Sequence, residues 1–149
     1  MKTQLNTGFN SAQESLGFLL WRASNKLQRK HRAVLKDFDL TPSQFSVLAT
    51  LAYLEKPGKT LRQSALSDYT QTDKMLISDL IKTLAAKKYV GKKPDPDDAR
   101  AFLVTITQAG LDRVNGAISV VEAVDQQFFS QIAERADLLR ILQTLASND

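Results

Sequence analysis

The 149-residue chain has no cysteine and a single histidine, His31. The first absence excludes disulfides, thiolate zinc sites, cysteine nucleophiles and thiol-based redox sensing. The second leaves little for acid–base chemistry: His31 stands among Arg29, Lys30 and Arg32, with no clustered acid in sequence reach. Long apolar runs are missing too. None approaches the roughly 18 residues of a membrane span, and the start, MKTQLNTGFNSAQE, lacks the apolar core of a signal peptide. Asp95, Asp97 and Asp98 crowd one turn, but Pro94 and Pro96 between them, and the missing glycine and terminal glutamate, spoil a calcium loop. The expectation is a cytoplasmic protein with no membrane association, no metal and no cofactor. There are no internal repeats and no low-complexity segments.

What is present is ordinary in amount and uneven in placement. A hydrophobic content of 43% and a charged content of 24% suit a soluble globular domain with a real core. The net charge of +4 conceals two halves. Residues 1–100 hold 17 Lys and Arg against 10 Asp and Glu, whereas residues 101–149 hold 3 against 6. A basic front and an acidic tail point to a polyanionic partner for the front, or to no more than a solvated surface.

Periodicity divides the chain. From about Ser11 to Asp37, apolar residues at Leu16, Leu19, Leu20, Ala23, Leu27 and Val34 recur at helical spacing. Such a helix is roughly 40 Å long, more than a chain of this size usually covers by itself, and it is expected to pack on another chain. LTPSQFSVLATLAYL restarts a helix: Thr41 is a good N-cap, Pro42 suits the first position, and Phe45, Leu48, Leu51 and Ala52 form the inward stripe. After the break EKPGKT, LRQSALSDY reads as a short helix. A longer one follows, capped by Thr72 or Asp73, with Leu76, Ile77, Leu80, Ile81 and Leu84 facing inward. Two helices about three residues apart, the second lysine-rich on its exposed positions, fit a helix-turn-helix.

Tyr89, Val90 and Gly91 then enter a strand, KKPDPDDA makes a turn, and RAFLVTIT returns as a strand with Phe102, Val104 and Ile106 on one face. A hairpin directly behind a helix-turn-helix is a wing. Thr107 caps the next helix, and a last one is apolar at Leu138, Leu139, Ile141, Leu142 and Leu145. The fold class is therefore mainly α with a small β-hairpin wing: a winged helix-turn-helix at 41–106 within one chain of 1–149. Long helices at 9–38 and 108–147 are expected to mediate dimerisation.

Three stretches resemble the MarR family (multiple antibiotic resistance regulator type). They are LTPSQFSVLATL, the ungapped LRQSALSDYTQTDKMLISDLIKTLAAKKYV, and KKPDPDDARAFLVTITQAG with its Pro-Asp-x-x-Asp-x-Arg wing and Thr-x-x-Gly. The resemblance covers nearly the whole chain. It implies a homodimer that places two recognition helices in adjacent major grooves of a pseudo-palindromic operator. It also implies a repressor released by a small, often aromatic or anionic, effector. The residues matching the contact positions are Thr72, Asp73, Lys74, Met75, Ser78, Asp79 and Lys82 on the recognition helix, with Lys92, Lys93, Asp98 and Arg100 on the wing. The resemblance places Arg100 in the minor groove, where a narrow A·T-rich groove concentrates negative potential. Asp98, two residues earlier on the same strand face, is expected to hold its guanidinium.

Two positions depart from the family pattern. Lys88 stands where glycine often ends the recognition helix, which puts that helix end in question. Asp79 stands where a basic residue is frequent; it repels phosphates but can accept from cytosine N4. An effector pocket between the first, second and fifth helices is expected to draw on Leu16, Leu19, Leu20, Trp21, Phe45 and Tyr53, with charge from Arg22 or His31. The apolar members serve equally well as plain core. Two other classes compete: an enzyme, and a winged-helix protein that binds a protein partner instead of DNA.

Overall fold

Ser15 sets where the first long helix begins. Its hydroxyl oxygen accepts the Phe18 N–H at 3.2 Å and caps α1 (Leu16–Leu35). The computed structural model describes residues 5–147, so the ends of the 1–149 span lie outside the described residues. With 20 residues, α1 is about 30 Å long, shorter than the periodicity suggested. A separate 3-10 turn at Ala12–Glu14 precedes it, and a second at Lys36–Phe38 ends in left-handed Asp39.

Helix α2 (Pro42–Leu54) starts as the sequence implies. The Thr41 hydroxyl accepts from the Gln44 N–H, and the Gln44 side-chain Oε1 accepts from the Thr41 N–H, a reciprocal capping box with Pro42 in the first turn. Its buried stripe is shifted from the expected one: Gln44, Val47, Leu48 and Leu51 are buried, while Phe45 and Ala52 are only half-buried. Leu61–Arg62, expected to open a helix, instead form a short strand, β1, before α3 (Gln63–Thr70). The signal was too short to read alone, because two residues carry no period.

The turn between α3 and α4 (Lys74–Ala86) is closed by side chains. The Ser67 hydroxyl donates to the Thr72 carbonyl at 2.6 Å, Gln71 takes a left-handed conformation, and the Asp73 carboxylate accepts the Met75 N–H at 2.8 Å. Of the two candidate caps, Asp73 is the one. Ile77, Ile81 and Leu84 are buried as expected, but Leu76 is 47% exposed and turns away from the core.

Lys88 keeps the helix end that glycine usually provides. It sits at φ 64, its N–H donates to the Ala85 carbonyl, and the Tyr89 N–H donates to the Leu84 carbonyl, which together make a Schellman motif. Strand β2 (Val90–Asp95) follows and pairs antiparallel with β3 (Asp98–Ile106); β1 pairs with the other edge of β3. The wing strands are longer and the turn shorter than expected, with only Pro96 and Asp97 between them. Pro94 is tolerated inside β2 because β2 is an edge strand.

Thr107 caps α5 (Gln108–Phe129), accepting the Gly110 N–H at 3.0 Å. A Cβ at position 110 would come 2.2 Å from the Tyr89 carbonyl oxygen, so Thr-x-x-Gly pairs a cap with a close backbone crossing. The core lies between α2, α3, α4 and β3, where Leu48, Leu51, Leu66, Ile77, Ile81, Leu84 and Val104 are fully buried; Leu35 of α1 and Val114, Ala117 and Val121 of α5 close it. The last helix, α6 (Arg135–Ala146), buries no residue.

Candidate nucleic-acid interface

Helix α4 and the hairpin both present cations without an ionic partner. Lys74, Lys82, Lys93 and Arg100 are exposed and, among the described residues, belong to no ion pair. Lys92 lies over the Phe102 ring, 4.0 Å from its centre, which holds the ammonium against the wing without neutralising it. Met75 is 74% exposed and Asp79 is exposed, so both are free to meet base edges; Ser78 is half-buried.

Thr72 and Asp73 do other work. Thr72 is half-buried with its carbonyl taken by Ser67, and the Asp73 carboxylate is occupied at the helix cap. They shape the turn that leads into α4. Asp98 also differs from expectation. Its carboxylate accepts the backbone N–H of Arg100 at 3.0 Å and makes no ion pair with the guanidinium. It fixes the backbone on which Arg100 stands and leaves the side chain free.

A second carboxylate of the turn was not singled out by the sequence. Asp95 is 6% exposed; one oxygen meets Arg62 Nε at 2.7 Å and the other accepts the Asp97 N–H at 2.9 Å. Three aspartates within four residues look alike in sequence, and only the register shift between Pro94 and Asp95 turns this one inward. Arg62, Lys74, Asp98 and Arg100 line one cleft of about 300 Å³ between the start of α3, α4 and the wing.

The expected effector residues do not come together. Leu16, Leu20 and Trp21 are 84%, 55% and 63% exposed on the first turns of α1, and Arg22 is exposed beside them. Leu19 is half-buried. Phe45 packs on the core, and Tyr53 stands at the far end of α2, 73% exposed, its ring 6.3 Å from that of Tyr69. His31 lines a cleft. It shares about 270 Å³ with Ser43, Ser46 and Val47 of α2, Thr70 and Thr72 of the turn, and Leu76 and Leu80 of α4. His31 Nε2 lies 2.6 Å from the Asp125 carboxylate of α5. Leu76 was expected in the core; its place at this cleft explains its exposure.

A helix pair with a hydrogen-bonded turn, a hairpin wing and unpaired cations on the shared face define a winged helix-turn-helix DNA-binding protein. The MarR family model matches residues 38–101. The uncharacterized HTH-type transcriptional regulator YdcH of Bacillus subtilis is 35% identical over 141 residues, covering 95% of this chain and 96% of that protein. The HTH-type transcriptional repressor NicR of Pseudomonas putida is 25% identical, covering 91% of this chain and 85% of that one. The structure of Bordetella bronchiseptica BpsR, described as regulated in DNA binding by 6-hydroxynicotinic acid, superposes with a TM-score of 0.81 at 27% identity, covering 95% of this chain and all of that one. The chain belongs to the MarR family of transcriptional regulators.

Proposed function

We propose that the protein is a homodimeric repressor in the cytoplasm. In each subunit α4 enters the major groove of a pseudo-palindromic operator, and the wing sets Arg100 in the adjacent minor groove. The observation that carries this reading is that Lys74 and Lys82 of α4 and Lys93 and Arg100 of the wing are exposed and, among the described residues, belong to no ion pair. Cations kept free of internal partners can each displace counterions from a phosphate backbone. Two such lobes need a symmetric partner. The exposed apolar residues of α6 (Leu139, Ile141, Leu142, Leu145) and of α1 (Leu16, Leu20, Trp21) support a second copy as that partner. No catalytic step enters this reading. Among the described residues no three metal-ligating side chains gather, and no helix is long and apolar enough to cross a membrane.

Release from DNA follows from the cleft beneath α4. A small aromatic or anionic molecule there touches Leu76 and Leu80 of the recognition helix on one side and His31 of α1 on the other. It shifts the balance between DNA-competent and incompetent arrangements by its unequal affinity for them. A gel shift with the DNA upstream of the protein's own gene, repeated across a salt series, tests the binding reading. The expected result is a log–log slope of several units. A flat salt response sinks it in favour of a protein partner.

A further inference from the structure

We propose that Arg62 is an additional DNA-contacting cation of each lobe, a phosphate ligand held in position by the buried carboxylate of Asp95. The proposal rests on the operator-binding reading above. A carboxylate as buried as Asp95 must be paired. Its cation is Arg62, engaged through Nε alone at 2.7 Å. A guanidinium carries a fork of donors, and the terminal nitrogens of this one remain for another acceptor. The side chain is 48% exposed, and it lines the cleft that also holds Lys74 and Arg100. The one carboxylate lining that cleft, Asp98, already accepts the Arg100 N–H.

The location selects the ligand. Lys74 opens the helix assigned to the major groove, and Arg100 belongs to the wing assigned to the minor groove. The strand of DNA that separates two adjacent grooves must run between those elements, and Arg62 lines the cleft they share. A phosphodiester offers two non-bridging oxygens, which the planar fork of a guanidinium can meet with two N–H donors. Arg62 also occupies the N-cap of α3, a position normally held by a short polar residue, and no side chain caps that helix. Asp95 thereby acts as a positioning residue. It takes one edge of the guanidinium and leaves the other directed at the cleft.

Operator binding of the wild type, Arg62→Gln, Arg62→Lys and Asp95→Asn over a potassium chloride series decides the matter, with thermal unfolding run in parallel. Arg62→Gln should weaken binding about tenfold or more at moderate salt. It should also lower the salt slope by roughly 0.9 per subunit, the contribution of one phosphate contact. Arg62→Lys should recover most of the thermal stability, because an ammonium can pair with Asp95. It should recover the slope only in part, because the shorter-reaching ammonium drawn onto the buried carboxylate has no second, fixed edge to hold toward a phosphate. Asp95→Asn removes a negative charge, so simple attraction predicts tighter binding; loss of the positioned guanidinium predicts weaker binding and a lower slope. Full recovery of affinity and slope by Arg62→Lys, or an unchanged slope in Arg62→Gln, overturns the proposal and leaves the pair as a wing anchor. Either result leaves operator binding by the wild type intact, whereas a wild type without salt-dependent binding would refute the functional reading itself.

Discussion

The lobe from α2 to β3 and the last helix, α6, stand at opposite ends of the burial problem. Closed by Leu35 of α1 and Val114, Ala117 and Val121 of α5, the lobe has Leu48, Leu51, Leu66, Ile77, Ile81 and Leu84 fully buried within one chain. Helix α6 buries none of its residues, and Leu139 and Leu145 stand 58% and 67% exposed. A helix of 12 residues with no packed face is marginal in water. The lobe with α1 and α5 makes one closed core, whereas α6 keeps its apolar residues outside it. On the proposed reading that outer face of α6 is where a second copy docks.

The sharpest way to break this contrast is to spoil the ends. Leu139→Asp with Leu142→Asp should halve the mass in solution from about twice 16.6 kDa, read by light scattering. Operator affinity should fall by more than about a hundredfold, since the two half-sites are no longer linked. A variant that stays dimeric would show that α6 is not the seam.

Next in size is the wing. Arg100→Ala should weaken operator binding by about 1–3 kcal/mol, more over A·T-rich than G·C-rich flanks, and leave the unfolding temperature nearly unchanged. Asp98→Ala should cost less. Its hydrogen bond goes to the Arg100 backbone, so the double variant should lie close to Arg100→Ala alone when all four proteins are titrated. Full additivity would mean that Asp98 acts on DNA independently.

Asp79→Ala should move specificity more than affinity. Loss of an exposed acid raises or preserves non-specific binding while discrimination between operator and random DNA drops; equal change in both would remove Asp79 from the readers. The smallest effect is expected inside the lobe. Lys88→Gly should raise stability by about 0.5–1 kcal/mol in thermal unfolding, because the lysine sits at φ 64 where glycine is unstrained. No gain would mean that the side chain compensates for its backbone.

The order of helices, the capped start of α2, the wing and the cap at Thr107 were all legible, because each depends on neighbours within a few residues. Where contacts depend on chain far away, legibility failed. Leu76 has helical spacing for the core, yet it faces the cleft beside α2, which no local pattern reveals. Asp95 could not be separated from Asp97 and Asp98, because the bulge that buries it arises from pairing with β3. Of the expected effector residues, Leu16, Leu20 and Trp21 followed apolar content along α1 and stand exposed there, whereas the cleft at His31 draws on α2, the turn and α4, which lie apart in sequence.

The crossing at Gly110 has a mechanical consequence. The Thr107 hydroxyl donates to the Lys88 carbonyl at 2.8 Å, the Thr107 N–H donates to the Tyr89 carbonyl at 3.0 Å, and position 110 has no room for a methyl group. The end of α4 and the root of α5 are thus one welded joint, and the recognition helix cannot swivel without turning the long helix behind it. In the proposed homodimer, the angle between the two α5 helices is then the ruler that measures the operator. Two half-sites on one face of B-DNA call for a separation of one helical repeat, about 34–36 Å. Whatever tilts that ruler by a few degrees puts both heads out of register together, so binding is lost in one step instead of one half-site at a time.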